Sequence, residues 1–262
     1  MQDLTQILEE WQYDSDQNVR IIVAEDGRSV LQVRLPLGIE QYEMEGRPDR
    51  RRPYDFESVL AYTEDRLRHH IFEHGGDAGF EIGVEDAEEL QAEGILFYYR
   101  YLLLYQLQYF DLVVRDTEHN VHLCDLLERY CPDEEARNAV LQFRPYILRM
   151  HAAARAMGIQ HGTLEGDAEH VLTEAIATIE SLDEIESPAF QFEQVRSVNY
   201  LRSMLRTISE AADDSSSGSG SLRDELRDAI DREDYERAAH IRDRLRDSGG
   251  PGPGYGRVDK ER

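Results

Sequence analysis

Residues 95–114 read ILFYYRYLLLYQLQYFDLVV, in which only Arg100, Gln106, Gln108 and Asp111 interrupt apolar and aromatic side chains. A helix of about 20 such residues is long enough to cross a bilayer, so the run admits two solutions: a membrane span, or a helix at the centre of a helical assembly. The polar interruptions decide for the second. A helix that is apolar on several faces must be surrounded by other elements, with its tyrosine hydroxyls reaching polar partners at the margins. The run therefore predicts a buried central helix, no membrane contact, and a chain whose other segments exist largely to cover it.

The remaining sequence supplies such segments. In 3–11, Leu4, Ile7, Leu8 and Trp11 recur at spacings of three and four, on one side of a short docking helix. Residues 19–24 and 30–35 predict two strands of a β-hairpin, joined through Glu25-Asp26-Gly27-Arg28, where glycine supplies the positive φ that the turn needs. Pro36, Gly38 and the block GRPDRRRP at 46–53 predict an irregular connector. From residue 54 the pattern is helical. Phe56, Val59, Leu60, Leu67, Ile71 and Phe72 share one side of a helix ending near Gly75 and Gly76. Residues 84–115 predict one long helical region, with Gly94 as its point of division. Further helices follow at 120–130, 133–157, 167–182 and 189–212, with Pro132 and the region 158–166 between them. The stretch EHVLTEAIATIESL at 169–182 resembles a degenerate tetratricopeptide helix, although no clean recurrence at about 34 residues accompanies it. The fold class expected is mainly α: an irregular helical bundle or tetratricopeptide-like α-solenoid with a small N-terminal β-hairpin. With 40% hydrophobic residues in 262, the chain has enough apolar material for one or two domains.

Charge narrows the function. The formal net charge of −25 comes from 54 acidic residues against 29 basic ones, with Lys260 as the only lysine. Binding to a phosphate backbone rests on cationic neutralisation, so a general affinity for DNA or RNA is disfavoured. The acidic, amphipathic opening MQDLTQILEEW has no secretory pattern, and Cys124 and Cys131 read as reduced thiols, which together predict a cytoplasmic protein.

Three clusters invite a chemical reading. In RHHIFEHGG, His70 and His74 stand at the i, i+4 spacing of metal pairs beside His69, but the order is not HExxH, and a polar helix end facing the negative dipole is the preferred reading. His119, His122, Cys124 and Cys131 in HNVHLCDLLERYC match no zinc finger or ribbon spacing, and buried thiols on an amphipathic helix are preferred. Arg47, Arg50, Arg51 and Arg52 surround Asp49 in the one locally basic block. Guanidinium forks there suit a phosphate or an acidic partner segment, while the preferred reading is a proline-framed turn whose arginines answer the acidic surface. No nucleophile elbow and no glycine-rich nucleotide loop is present, so no enzyme and no cofactor is predicted.

The C-terminal part is organised differently. A flexible serine- and glycine-rich linker at 213–221 precedes a segment of 222–248, and a disordered tail at 249–262 follows. In the segment, Leu222, Leu226, Ala229 and Ile230 share one face of a first helix, and Tyr235, Ala238, Ala239, Ile241 and Leu245 line the apolar side of a second. Glu233 and Asp234 mark the bend. The pattern Leu222, Glu225-Leu226, Ala229-Ile230, Glu233-Asp234-Tyr235-Glu236, Ala238-Ala239, Ile241-Arg242-Asp243 and Leu245 resembles the UVR motif, the helical hairpin of the excision-repair proteins UvrB and UvrC, found also in regulators of bacterial Clp proteases and arginine kinases. It departs from the pattern at Ser248, where an apolar residue is expected.

The resemblance implies protein–protein contact, with another copy or with a partner's hairpin. Size points the same way, because a segment well below about 40 residues seldom buries enough surface to be stable alone. DNA repair does not follow from the motif, since no GxxxxGK[ST] phosphate loop accompanies it. The expected organisation is an N-terminal helix and β-hairpin region at 1–53, a helical body at 54–212, the linker and the hairpin. The expected function is that of a bacterial, non-enzymatic adaptor that recognises one partner through its body and another, or a second copy, through the nine apolar hairpin residues. An accessory of nucleotide excision repair that contacts DNA, and a metal-dependent enzyme using the histidine clusters, are the alternatives.

Overall fold

In the computed structural model the backbone is described for residues 4–231 and the side chains for residues 4–211. The chain divides into two units, residues 1–205 and 206–262. The first opens with α1 (Thr5–Glu10), then a three-stranded antiparallel sheet of β1 (Val19–Val23), β2 (Ser29–Leu35) and β3 (Gly38–Glu43) in the order β1-β2-β3. The expected hairpin is thus a meander. Pro36 and Leu37 do not end the sheet but form its second turn, with Leu35 opposite Gly38. Alternation puts Ile21, Leu31 and Tyr42 in one cross-strand row on the inner face.

The helices follow: α2 (Val59–His74), α3 (Val84–Gln106), α4 (Phe110–Tyr130), α5 (Glu134–Leu141), α6 (Arg144–Gln160), α7 (Ala168–Glu180) and α8 (Pro188–Asp231). Local chemistry sets their limits. The Ser58 hydroxyl accepts the Ala61 N–H at 2.9 Å to cap α2, which ends at Gly75 in the left-handed region with φ 78°. The Asp133 carboxylate caps α5, and that of Asp167 caps α7.

Two expected helices are divided differently. The region 84–115 passes through Gly94 unbroken and turns instead at Leu107-Gln108-Tyr109, where Gln108 takes φ 63°. The apolar run 95–114 therefore spans the end of α3 and the start of α4. Glycine at 94 serves a close approach: a Cβ there would lie 3.4 Å from Leu123 Cδ1, and the Gly94 carbonyl accepts the Asn120 amide at 3.0 Å. The expected helix 133–157 is interrupted before Pro145, which lacks an N–H and is accommodated in the first turn of α6. At the other end, α8 continues past residue 212 with helical backbone through 213–221, the stretch whose serines and glycines predict a linker.

Helices α3 and α4 run antiparallel at the centre. One cluster of buried residues joins the start of α2 to them through Val59, Leu60, Leu90, Leu123 and Leu127. A second lays the inner face of the sheet, Leu31, Val33, Tyr42 and Met44, on Tyr101, Leu104, Phe110 and Val113. The result is a mainly helical assembly with a small antiparallel sheet on its flank. Among the described residues no helix is long and apolar enough to cross a membrane.

Candidate functional site

The connector at 44–58 is where the polar chemistry of the described residues concentrates. Arg100, the charge inside the apolar run, is 1% exposed. A buried charge must be paired and hydrogen-bonded to be tolerated, and Arg100 uses its whole fork. Its Nε and Nη2 donate to the two oxygens of Asp116 at 2.6 and 2.7 Å, and its Nη1 donates to the carbonyls of Glu43 and Gly46, each at 2.8 Å. Arg115 adds a bond to the Met44 carbonyl at 2.8 Å. The two helices thereby grip the end of β3.

Two turns earlier on α3, Glu93 is fully buried and gathers the rest of the connector. Its Oε2 accepts Arg47 Nη1 and the Val59 N–H, both at 2.7 Å, and its Oε1 accepts the Leu60 N–H at 3.0 Å. The carboxylate sits at the N–H donors of the first turn of α2 that have no partner within the helix, where negative charge is favoured. His119 stacks on Phe97 at 3.6 Å and brings Nε2 to 3.2 Å from Glu93 Oε1, close enough for an ion pair but outside good hydrogen-bond alignment. Burial alone would raise the Glu93 carboxyl. Contact with His119 and the bonds from Leu60 and Val59 outweigh it and hold the group below its ordinary value.

Of the residues singled out in the sequence, Arg47 is thus internal to the fold, while Arg50, Arg51 and Arg52 are exposed. Arg47 also pairs with Asp49 at 2.8 Å, and Arg51 reaches the same carboxylate at 3.8 Å. The turn has an uncommon backbone: Arg50, Tyr54 and Asp55 all take positive φ.

The histidines do not assemble as ligand sets. His70 and His74 stack at 4.3 Å, with His70 Nε2 3.1 Å from the Ala78 carbonyl and His74 Nδ1 3.0 Å from that of His70, while His69 lies by Glu73. His119 belongs to Glu93 and not to the cysteines. Cys124 and Cys131 are buried free thiols, and burial pushes the Cys124 thiol up to about 12. Among the described residues no three His, Cys, Asp or Glu side chains converge to hold a metal ion.

Of the hairpin positions, Leu222, Leu226, Ala229 and Ile230 fall on helical backbone at the end of α8, at spacings that return to one face. Tyr235, Ala238, Ala239, Ile241 and Leu245 lie outside the described residues. Residues 220–247 match the UvrB/uvrC motif. Such motifs generally mediate protein interactions. The match covers the C-terminal segment alone. No curated protein and no solved structure matches the chain.

Glu93 and Asp116 have no motif around them, and their roles are not written in any local pattern. The one available signal was Arg100 itself, because a charge amid apolar residues demands a partner. Which partner it takes depends on how α3 and α4 pair.

Proposed function

We propose that this protein is a non-enzymatic, cytoplasmic adaptor whose C-terminal segment binds another protein or a second copy. The carrying observation is the UvrB/uvrC motif at 220–247. Its apolar residues, Leu222, Leu226, Ala229, Ile230, Tyr235, Ala238, Ala239, Ile241 and Leu245, recur at helical spacing in a segment of too few residues to bury them among themselves. The body, a tetratricopeptide-like array or an irregular bundle, supplies the second binding surface. Joining two modules in one chain raises the effective concentration of whatever they hold, without any new contact.

The test is the full chain carrying Leu226→Asp and Ile241→Asp. Self-association, or capture of a defined hairpin partner, should be lost while far-ultraviolet circular dichroism keeps its helical signal. Binding unchanged by the pair of substitutions would refute the assignment.

An accessory of excision repair that touches DNA draws on the same match, since the motif is that of UvrB and UvrC. The charge of −25, with seven arginines against nine acids in 222–248, opposes it. Binding to a damaged duplex that weakens steeply with salt would decide for that reading.

A further inference from the structure

Two apolar surfaces of the first unit complement each other without meeting in one chain. The first is α1. None of its residues is buried, and Leu4 and Ile7 are 49% and 43% exposed. The helix carries Glu9 and Glu10 and no basic residue. The second is a groove of about 630 Å³ between the inner face of β2 and β3 and the flank of α3, walled by Leu35, Tyr42, Leu96, Tyr99, Leu102 and Leu103. Both carboxylates on its rim are engaged. Glu40 accepts the Tyr42 hydroxyl at 2.6 Å, and Asp49 holds Arg47 and Arg51. Next to Asp49 the chain exposes Arg50, Arg51 and Arg52, so cations stand at that end of the groove.

We propose that α1 of one copy of this chain occupies the groove of a second copy. Its own groove is out of reach. The Trp11 carbonyl accepts Arg34 Nε at 2.7 Å, and the Trp11 ring lies 3.9 Å beneath the Arg20 guanidinium. Arg20 and Arg34 alternate with the inward Val19, Ile21 and Val33, so Trp11 is fixed on the outer face, while the groove opens on the inner one. Six helical residues span about 9 Å, too short to pass around the sheet.

In a second copy the fit is chemical as well as steric. Leu4, Ile7 and Leu8 provide the i, i+3, i+4 anchors of a helix laid in a groove, and Glu9 and Glu10 meet Arg50 and Arg51. Each copy carries one helix and one groove, so a two-fold pair satisfies both contacts at once.

The test uses full-length protein with Leu226→Asp and Ile241→Asp, so that association through the C-terminal segment is disabled and the failure of either assignment shows separately. Sedimentation velocity from about 1 µM to about 1 mM should show a concentration-dependent dimer in this background. Ile7→Asp, and separately Tyr99→Ala, should weaken it at least tenfold. Arg50→Glu with Arg51→Glu should do the same, and adding Glu9→Arg with Glu10→Arg to that variant should restore it. Circular dichroism guards against misfolding, and the restoration cannot arise from an unfolded chain. A monomer across the whole range, association indifferent to Ile7→Asp, or absence of charge-swap rescue would each overturn the proposal.

Discussion

Replacing Glu93 by glutamine removes one charge at nearly constant shape, and the structure sets the consequence. The carboxylate accepts three hydrogen bonds, from Arg47 and the backbone N–H groups of Val59 and Leu60, and the His119 ring lies 3.2 Å away. Glutamine offers one accepting oxygen, and its NH2 must turn toward either the Arg47 and Val59 side or the Leu60 and His119 side. Either way donors face a donor at a fully buried position. Breaking a buried pair by removing one partner costs about 3–5 kcal/mol, and because Arg47 retains Asp49 at 2.8 Å the loss falls at the lower end, about 3 kcal/mol. For a body of this size each kcal/mol lowers Tm by about 2–4 °C, so Glu93→Gln should melt roughly 6–12 °C below the parent. The pH dependence has a definite sign. A carboxyl held below its ordinary value of 4.5 contributes stability that is fully present above that value and is lost as pH falls through the lowered one. The gap between parent and variant in urea melts should therefore be widest near neutrality and close in acid. A Glu93→Gln protein within about 1 kcal/mol of the parent at pH 7 would refute the claim that an ionised Glu93 ties the connector to α2.

Two further outcomes follow from buried groups. Cys124, with its thiol raised to about 12 by burial, should resist a disulfide-exchange reagent at pH 8 in the native protein, and both cysteines should react at once in denaturant; rapid native reaction at Cys124 would contradict the packing. Burial, aided by Arg155, lowers the His151 pKa, and its Nδ1 lies 3.0 Å from the Thr117 hydroxyl. The unfolded chain therefore takes up that proton first as pH drops through the ordinary histidine value of 6.5, and stability falls. His151→Gln should flatten this part of the Tm profile between pH 7.5 and 5.5, and an unchanged slope would count against a neutral buried ring.

The parts of the fold legible in the sequence are those governed by near neighbours. The glycine stop of α2 and the strands of the first hairpin each depend on spacing or turn chemistry within a few residues, whereas the run 95–114, read as one buried helix, is split between α3 and α4. The third strand escaped because Glu40, Gln41 and Glu43 dilute its alternation, leaving Tyr42 and Met44 as the only clear inward positions, while Pro36 reads as a terminator when it is a turn. The turn at Gln108 escaped because no glycine marks it. Gly94 misled for the opposite reason: its missing side chain makes room for Asn120 and Leu123 on the neighbouring helix. The pairing of Arg47 with Glu93, 46 residues apart, is beyond any local pattern, since it exists only once α3 and the connector are packed.

The connector also explains how so irregular a segment can present a surface. Apolar burial of Leu31, Val33, Tyr42 and Met44 against α3 and α4 holds the sheet to the helices, and being non-directional it leaves the loop beyond β3 free to settle in many ways. The ion pairs remove that freedom. Arg100 fixes the carbonyls of Glu43 and Gly46, Arg115 fixes that of Met44, Glu43 N–H donates to the Pro48 carbonyl at 2.9 Å, and Arg47 is anchored on Glu93. Pro48 and Asp49, which close one end of the groove, are therefore held before anything binds, and Arg50 and Arg51 project from a backbone already in place. A surface ordered in advance loses little conformational freedom on association, so a contact as small as one short helix can still hold. Loosening the loop through Arg47→Ala should weaken that contact even though Arg47 does not line the groove.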